Sequence, residues 1–284
     1  MNNKVLIIAG MHRSGTSLIS NWLHHCGLNL GEQLLGADIG NSEGHFEDID
    51  FFHFHEDTLL ANELPQSGLT AKRVPALNKY QHEKLKSLVG LKNKLNTQWG
   101  WKDPRTCLFL DNYRAVIPDA CYLNIVRDYG STVNSLISRE FKHHERKYLS
   151  RKKLSRMVWK KFRRERNLER LYYNTAETYL EVWVKYNEEL LKNVRHLPEG
   201  KYIFVDYLSL LDDDKNIFNH LKNQWKFQLK YYDFKKIFKE SLLSPGANID
   251  QYIENKALLK KAANLEKELK NLCQVQPVLQ PILH

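Results

Sequence analysis

The sequence contains no apolar run approaching the ~20 residues needed to span a bilayer, so no transmembrane helix is expected. Nor does its start read as a signal peptide. After Met1-Asn2-Asn3-Lys4 the chain enters Val5-Leu6-Ile7-Ile8-Ala9, too short for a signal-peptide core, and then a glycine-containing turn. Cysteine is scarce: Cys26, Cys107, Cys121 and Cys273 stand far apart with no C-x-x-C pair. Neither a disulfide framework nor a structural zinc site is expected from them. Internal repeats and low-complexity tracts are missing as well. These absences predict a protein of a reducing cytoplasm.

What is present is an ordinary globular composition. With 42% hydrophobic and 27% charged residues over 284 positions, wholesale disorder is excluded, and a single domain over 1–284 is expected. The charge is unevenly placed. The net charge is +10, and Arg139 to Leu171 hold 14 basic residues against four acids, so this segment carries the whole excess. A solvated helical face is the plain reading. The sharper one is a docking surface for an anionic partner: a polysaccharide, a glycolipid headgroup or a membrane surface. A peripheral place at the membrane through 139–171 fits that reading. Nucleic acid ranks lower, because no nucleic-acid-binding signature accompanies the run.

Val5–Ala9 is a continuous apolar run, the pattern of a strand buried on both faces. A helical pattern follows from Thr16 to Cys26, stopped by Gly27, and residues 28–50 read as a loop. Phe51–Leu60 and Tyr80–Leu95 read as helices. Trp99–Lys102 reads as a short strand ending at Asp103-Pro104, Cys121–Val126 as a buried strand, and Ser131–Arg139 as a helix. A basic helical insertion is predicted over 139–195, a strand at Tyr202–Val205 and a helix at Asp212–Lys222. The C-terminal part, 250–284, comprises an amphipathic helix over 252–272 and a loose tail; the helix either docks on the body or pairs with a second copy. Strands alternating with helices indicate an α/β protein, with a central parallel sheet flanked by helices. Ligands of such sheets bind beyond the C-terminal strand ends.

Gly10-Met11-His12-Arg13-Ser14-Gly15-Thr16-Ser17 follows the first strand and opens the first helix, the context of a phosphate-binding loop. Its glycines and Ser17 match G-x-x-x-x-G-K-[ST], but Thr16 replaces the lysine, and the loop's cation is Arg13. A kinase or ATPase needs that lysine and a magnesium-binding acid. A P-loop kinase, or a nucleotide-binding module without transferase activity, is therefore the alternative reading. Arg13-Ser14-Gly15-Thr16-Ser17 resembles the K-x-G-T-T loop of sulfotransferases that use 3′-phosphoadenosine-5′-phosphosulfate (PAPS). A second motif agrees: Val126-Arg127 ends a strand and Ser135 follows eight residues on, similar to the family's 3′-phosphate site. Trp101-Lys102-Asp103-Pro104-Arg105 resembles the K-D-P stretch of tyrosylprotein sulfotransferases, whose lysine approaches the transferring group.

The resemblance implies a P-loop NTPase-like sheet and sulfuryl transfer from PAPS, with 3′,5′-bisphosphoadenosine as product and no metal required. His12, Arg13, Ser14, Gly15, Thr16 and Ser17 would hold the 5′-phosphosulfate, and Arg127 and Ser135 the 3′-phosphate. Val205-Asp206-Tyr207 resembles the family's V-x-Y-E stretch and places Tyr207 near the adenine. Gly44-His45-Phe46-Glu47 is similar to the G-[YH]-F-E stretch of bacterial sulfotransferases, which makes Glu47 the candidate general base and His45 the runner-up. Arg13 and Lys102 are the candidate catalytic cations, and Arg105 a candidate for binding the acceptor. The acceptor itself is a hydroxyl of an anionic carbohydrate, a glycolipid or something similar. His53-Phe54-His55-Glu56-Asp57 carries no metal expectation, since His53 and His55 do not share a helix face.

Overall fold

The computed structural model describes residues 3–36, 44–150, 157, 159–239 and 248–273, without the side chains of Lys160 and Tyr207. Four strands, β1 (Lys4–Ala9), β2 (Gln98–Lys102), β3 (Cys121–Val126) and β4 (Tyr202–Asp206), form one parallel sheet in the order β2-β1-β3-β4. The helices are α1 (Thr16–His25), α2 (Ile49–Ala61), α3 (Lys79–Leu95), α4 (Leu110–Val116), α5 (Tyr129–Leu149), α6 (Arg164–Val194), α7 (Leu210–Asn219) and α8 (Lys256–Leu272).

The apolar run of β1 is explained by burial on both faces. Val5, Ile7 and Ala9 enter one apolar cluster with residues of α2, α3, α5, α6 and α8, while Leu6 and Ile8 enter another with α1 and α7. Ile8 lies opposite Lys102, Ala9 opposite Asn124, and Val126 opposite Asp206. All four strands therefore end on one edge of the sheet, where the three sequence motifs meet.

Two short elements escape the sequence pattern: a 3₁₀ turn at Pro104–Leu108 and α4. Seven residues are too few to display a helical period. The helix expected over Ser131–Arg139 is longer, running unbroken from Tyr129 to Leu149. The one expected over Asp212–Lys222 starts at Leu210 and passes into a wide turn at His220–Gln224.

The segment read as a basic insertion is a pair of packed helices, α5 and α6. From Leu171 onward α6 belongs to the core, with Ala176, Leu180, Trp183, Tyr186 and Leu190 buried. The described cations Lys142, Arg146, Lys147, Arg166 and Arg170 are exposed at the outer end of the pair. Arg151, Lys152, Lys153 and Arg156 lie outside the described residues.

On α8, Ala262, Leu265 and Leu269 are buried, and the helix packs on α6. Part of the apolar stripe that suggested a second copy is thus covered by the chain itself, while Leu272 stays exposed. The four cysteines are buried free thiols. Among the described residues no helix is long and apolar enough to cross a membrane.

Candidate active site

The loop after β1 is shaped by sterics. A Cβ on Gly10 would meet the Ile125 carbonyl and the Thr16 methyl, each at 2.7 Å, so only glycine lets the chain leave the sheet here. Ser14 closes the turn, its Oγ donating to the Met11 carbonyl at 2.7 Å. Arg13 and Gly15 adopt left-handed φ values of 67° and 93°. Strain of this kind collects at functional sites. Gly15 caps α1 with no side-chain hydrogen bond, and no acid stands in the first turn of that helix. The positive end of the helix dipole therefore faces the loop without a carboxylate to neutralise it.

At the tip of β3, Arg127 Nη1 donates to the Arg13 carbonyl at 2.9 Å, and Arg13 Nε donates to Ser135 Oγ at 2.9 Å. The motifs at two strand ends are thus joined directly. The sequence spacing suggests Arg127 and Ser135 side by side; in the structure Arg13 is the link between them. From α6, Trp183 Nε1 donates to the Arg127 carbonyl at 3.1 Å and braces the strand end.

At the tip of β2, Lys102 is only 1% exposed. Its ammonium donates to Glu47 Oε1 at 2.7 Å and to Ser17 Oγ at 3.2 Å. Glu47 is buried just before Asp48, which caps α2 by accepting from the Asp50 amide. His45 Nδ1 lies 3.9 Å from the same Glu47 oxygen. The two candidates for base therefore stand together, on the partner of Lys102. Asn41, Ser42 and Glu43, in the same loop, lie outside the described residues.

Arg105 has a different task from the one its motif suggested. It is 3% exposed, and its Nε and Nη2 grip Asp103 at 3.0 and 2.6 Å, while Nη1 donates to the Gln66 carbonyl. Its guanidinium also lies over the Phe52 ring. This arrangement makes it a buried brace for the Asp103 turn rather than a hand held out to the acceptor. On the other side of Asp103, His55 Nδ1 lies at 3.2 Å, and His55 Nε2 meets the Tyr113 hydroxyl at 2.7 Å. Burial alone would raise the Asp103 carboxyl, but the His55 ring and the Arg105 guanidinium beside it hold it far below its usual range.

Sequence reasoning missed this network. The signal was there: Phe51, Phe54, His55, Thr58 and Leu59 recur at the spacing of one buried helix face. Trp183 had no such signal.

His12 Nε2 is buried with no hydrogen-bond partner among the described residues. Burial, with Arg139 adding to it, pushes the His12 pKa down to about 3. The ring is therefore neutral at ordinary pH. Tyr207 sits in the turn after β4, on the same sheet edge, with its side chain outside the described atoms. Among the described residues one carboxylate group is dense enough for a metal ion: Glu32, Asp48 and Asp50, which surround the Lys92 ammonium and pair with it.

The sheet edge thus gathers a glycine-lined loop, an uncapped helix start, two arginines, a buried lysine and a carboxylate. Several solved structures resemble nearly the whole chain. Sulfotransferase STF9 from Mycobacterium avium is 14% identical with a TM-score of 0.56, covering 98% of this chain and 79% of that one. The sulfotransferase domain from the Synechococcus PCC 7002 olefin synthase is 14% identical with a TM-score of 0.50, covering 94% and 95%. Sulfotransferase STF1 from Mycobacterium tuberculosis H37Rv is 15% identical with a TM-score of 0.50, covering 93% and 77%. At such identities the likeness concerns the fold. No curated protein matches the sequence. The model of the sulfotransferase family matches residues 6–226, from β1 through the wide turn after α7, and the chain belongs to that family.

Proposed function

We propose that this protein moves a sulfuryl group from PAPS to a hydroxyl of a carbohydrate, glycolipid or similar acceptor. The carrying observation is the bridge from Arg127 through Arg13 to Ser135, which joins the two motifs read as anion-binding at neighbouring strand tips. The residues suit such a donor. The loop excludes a Cβ at Gly10, the start of α1 lacks a side-chain cap, and Arg13, Lys102 and Arg127 are cationic. When bound, the donor supplies the sulfuryl group and a bisphosphate that can leave.

The backbone of residues 12–17, with Arg13, would hold the 5′ end, and Arg127 with Ser135 the 3′-phosphate. Tyr207 follows β4 on the same edge, the place expected for the adenine. Lys102 offers a buried positive charge beside Ser17, fixed in place before any reaction. Preorganised charge of this kind is worth most in a water-poor site. Glu47 would receive the acceptor proton on its carboxylate, with His45 next to it as the second candidate. Lys102 would then be released from a full ion pair and be freer to balance charge on the bridging oxygen. In a triphosphatase the hydroxyl matching Ser17 faces a metal ion; here Lys102 contacts it, and the reading needs no metal.

Calorimetric titration with 3′,5′-bisphosphoadenosine, with and without magnesium, tests the proposal. Binding that ignores magnesium is expected. Magnesium-dependent ATP binding with no uptake of the bisphosphate would instead identify a kinase. Silence with both nucleotides would leave a module without transferase activity.

A further inference from the structure

We propose that the outer end of the α5–α6 pair holds a binding cavity for a sugar ring bearing an anionic group. This deepens the reading of the acceptor as an anionic saccharide and rests on it. The cavity is about 370 Å³, within the range of small-molecule sites of about 300–1,000 Å³.

Its lining divides by chemistry. The floor is aromatic: Tyr148 and Trp159 stack at 3.8 Å with an interplanar angle of 3°, and Phe141 lies at 23° to Trp159 with ring centroids 6.3 Å apart. Phe141 and Trp159 are buried, so this floor is a built surface rather than a chance cluster on mobile side chains. The rim carries two exposed cations, Lys147 and Arg170. His144 and Asn174 add groups able to hydrogen-bond hydroxyls.

Among the described residues no carboxylate lines the cavity. Glu145, which approaches Trp159 Nε1 at 3.4 Å, is itself held by Arg164 at 2.8 Å. An apolar face beneath, cations at the rim and amides between fit a saccharide with a carboxylate, sulfate or phosphate. A sugar presents an apolar C–H face, hydroxyls at its edge and the anion beyond. The cavity also lies within the segment that carries the entire +10 excess, which would concentrate anions around it.

The position relative to the transfer site is informative. Ser135, bonded to Arg13, lies on the same helix as Phe141 and Tyr148. At 1.5 Å per residue these are about 9 and about 20 Å farther along the axis. A ligand seated in the cavity is thus too distant to react there. It would be a remote part of an extended acceptor, with the reacting hydroxyl back toward Lys102 and Glu47.

The test uses the full chain and calorimetry with disaccharides bearing a uronate, a sulfate or a phosphate, beside their neutral counterparts. A second arm uses vesicles of phosphatidylglycerol. At least one acidic disaccharide should bind at least tenfold more tightly than its neutral partner. The exposed charge reversals Lys147→Glu and Arg170→Glu together should remove that binding, and Tyr148→Leu should weaken both forms. Affinity for 3′,5′-bisphosphoadenosine should stay unchanged in both variants. Equal binding of acidic and neutral sugars, no sugar binding at all, or an unaffected double variant overturns the proposal. Vesicle binding without sugar binding overturns it too and makes the segment a membrane patch. Loss of bisphosphate binding by the unaltered protein would refute the transferase reading separately, since the saccharide titrations do not depend on the nucleotide.

Discussion

Arg13 Nε lies 2.9 Å from Ser135 Oγ, a bond that closes 122 residues of chain and places the loop after β1 against α5. The loop's conformation and the start of α5 are therefore one mechanical unit, with Arg127 holding the same residue by its carbonyl.

Arg127→Ala should weaken 3′,5′-bisphosphoadenosine binding by about 10–100-fold, since hydrogen bonds to charged groups are worth about 1.5–3 kcal/mol. Ser135→Ala should cost about tenfold by the same scale. Because both also bond Arg13, the two sites are coupled, and the double variant should lose less than the two single losses combined. Calorimetric affinities for the four proteins decide the matter; strict additivity would show that the two elements work apart.

Glu47→Gln should keep the fold and lower kcat by about 10²–10⁴-fold, the usual contribution of a general base. Lys102→Met should behave differently. It leaves the Glu47 carboxylate buried without its partner, which costs about 3–5 kcal/mol when the charge persists. Combining the two should restore much of the stability but none of the activity. Urea midpoints read against turnover separate the roles, and a Glu47→Gln protein with normal kcat would remove Glu47 as base.

Asp103→Asn should destabilise the protein by about 3–5 kcal/mol, because it strips a buried guanidinium of its bidentate acceptor. Arg105→Lys should not be a mild change either, since a lysine cannot reproduce the two-pronged grip. Chemical denaturation measures both. A negligible effect of Asp103→Asn would mean that the network is dispensable.

His12 predicts a pH dependence. Its pKa falls from the ordinary 6.5 to about 3 on folding, so the unfolded chain takes up a proton that the folded one refuses. Stability is then complete above about pH 6.5 and is lost progressively as pH falls toward about 3. His55, lowered mainly by burial, acts in the same direction. His12→Gln should flatten the fall in urea midpoint between about pH 7 and about pH 5 without abolishing it. An unchanged slope would show that His12 is accessible to protons in the folded state.

The sequence alone determined what depends on neighbouring residues. Runs of apolar residues marked the central strands of the sheet, because Val5–Ala9 and Cys121–Val126, apolar apart from Asn124, are strands that must be buried on both faces. Spacing likewise marked Gly10 to Ser17 and Arg127 with Ser135, since loop and helix-start chemistry is local. Only the tertiary structure decided who pairs with whom. Glu47 could as well have met Arg13 or Arg105, but the edge of the sheet brings it to Lys102, 55 residues away. Arg105 sits in a motif that promises ligand contact, yet burial beside Asp103 and Phe52 commits it to the scaffold. A buried charge must find its counterpart through space, and the identity of that counterpart is set by packing between distant segments, which no local pattern encodes.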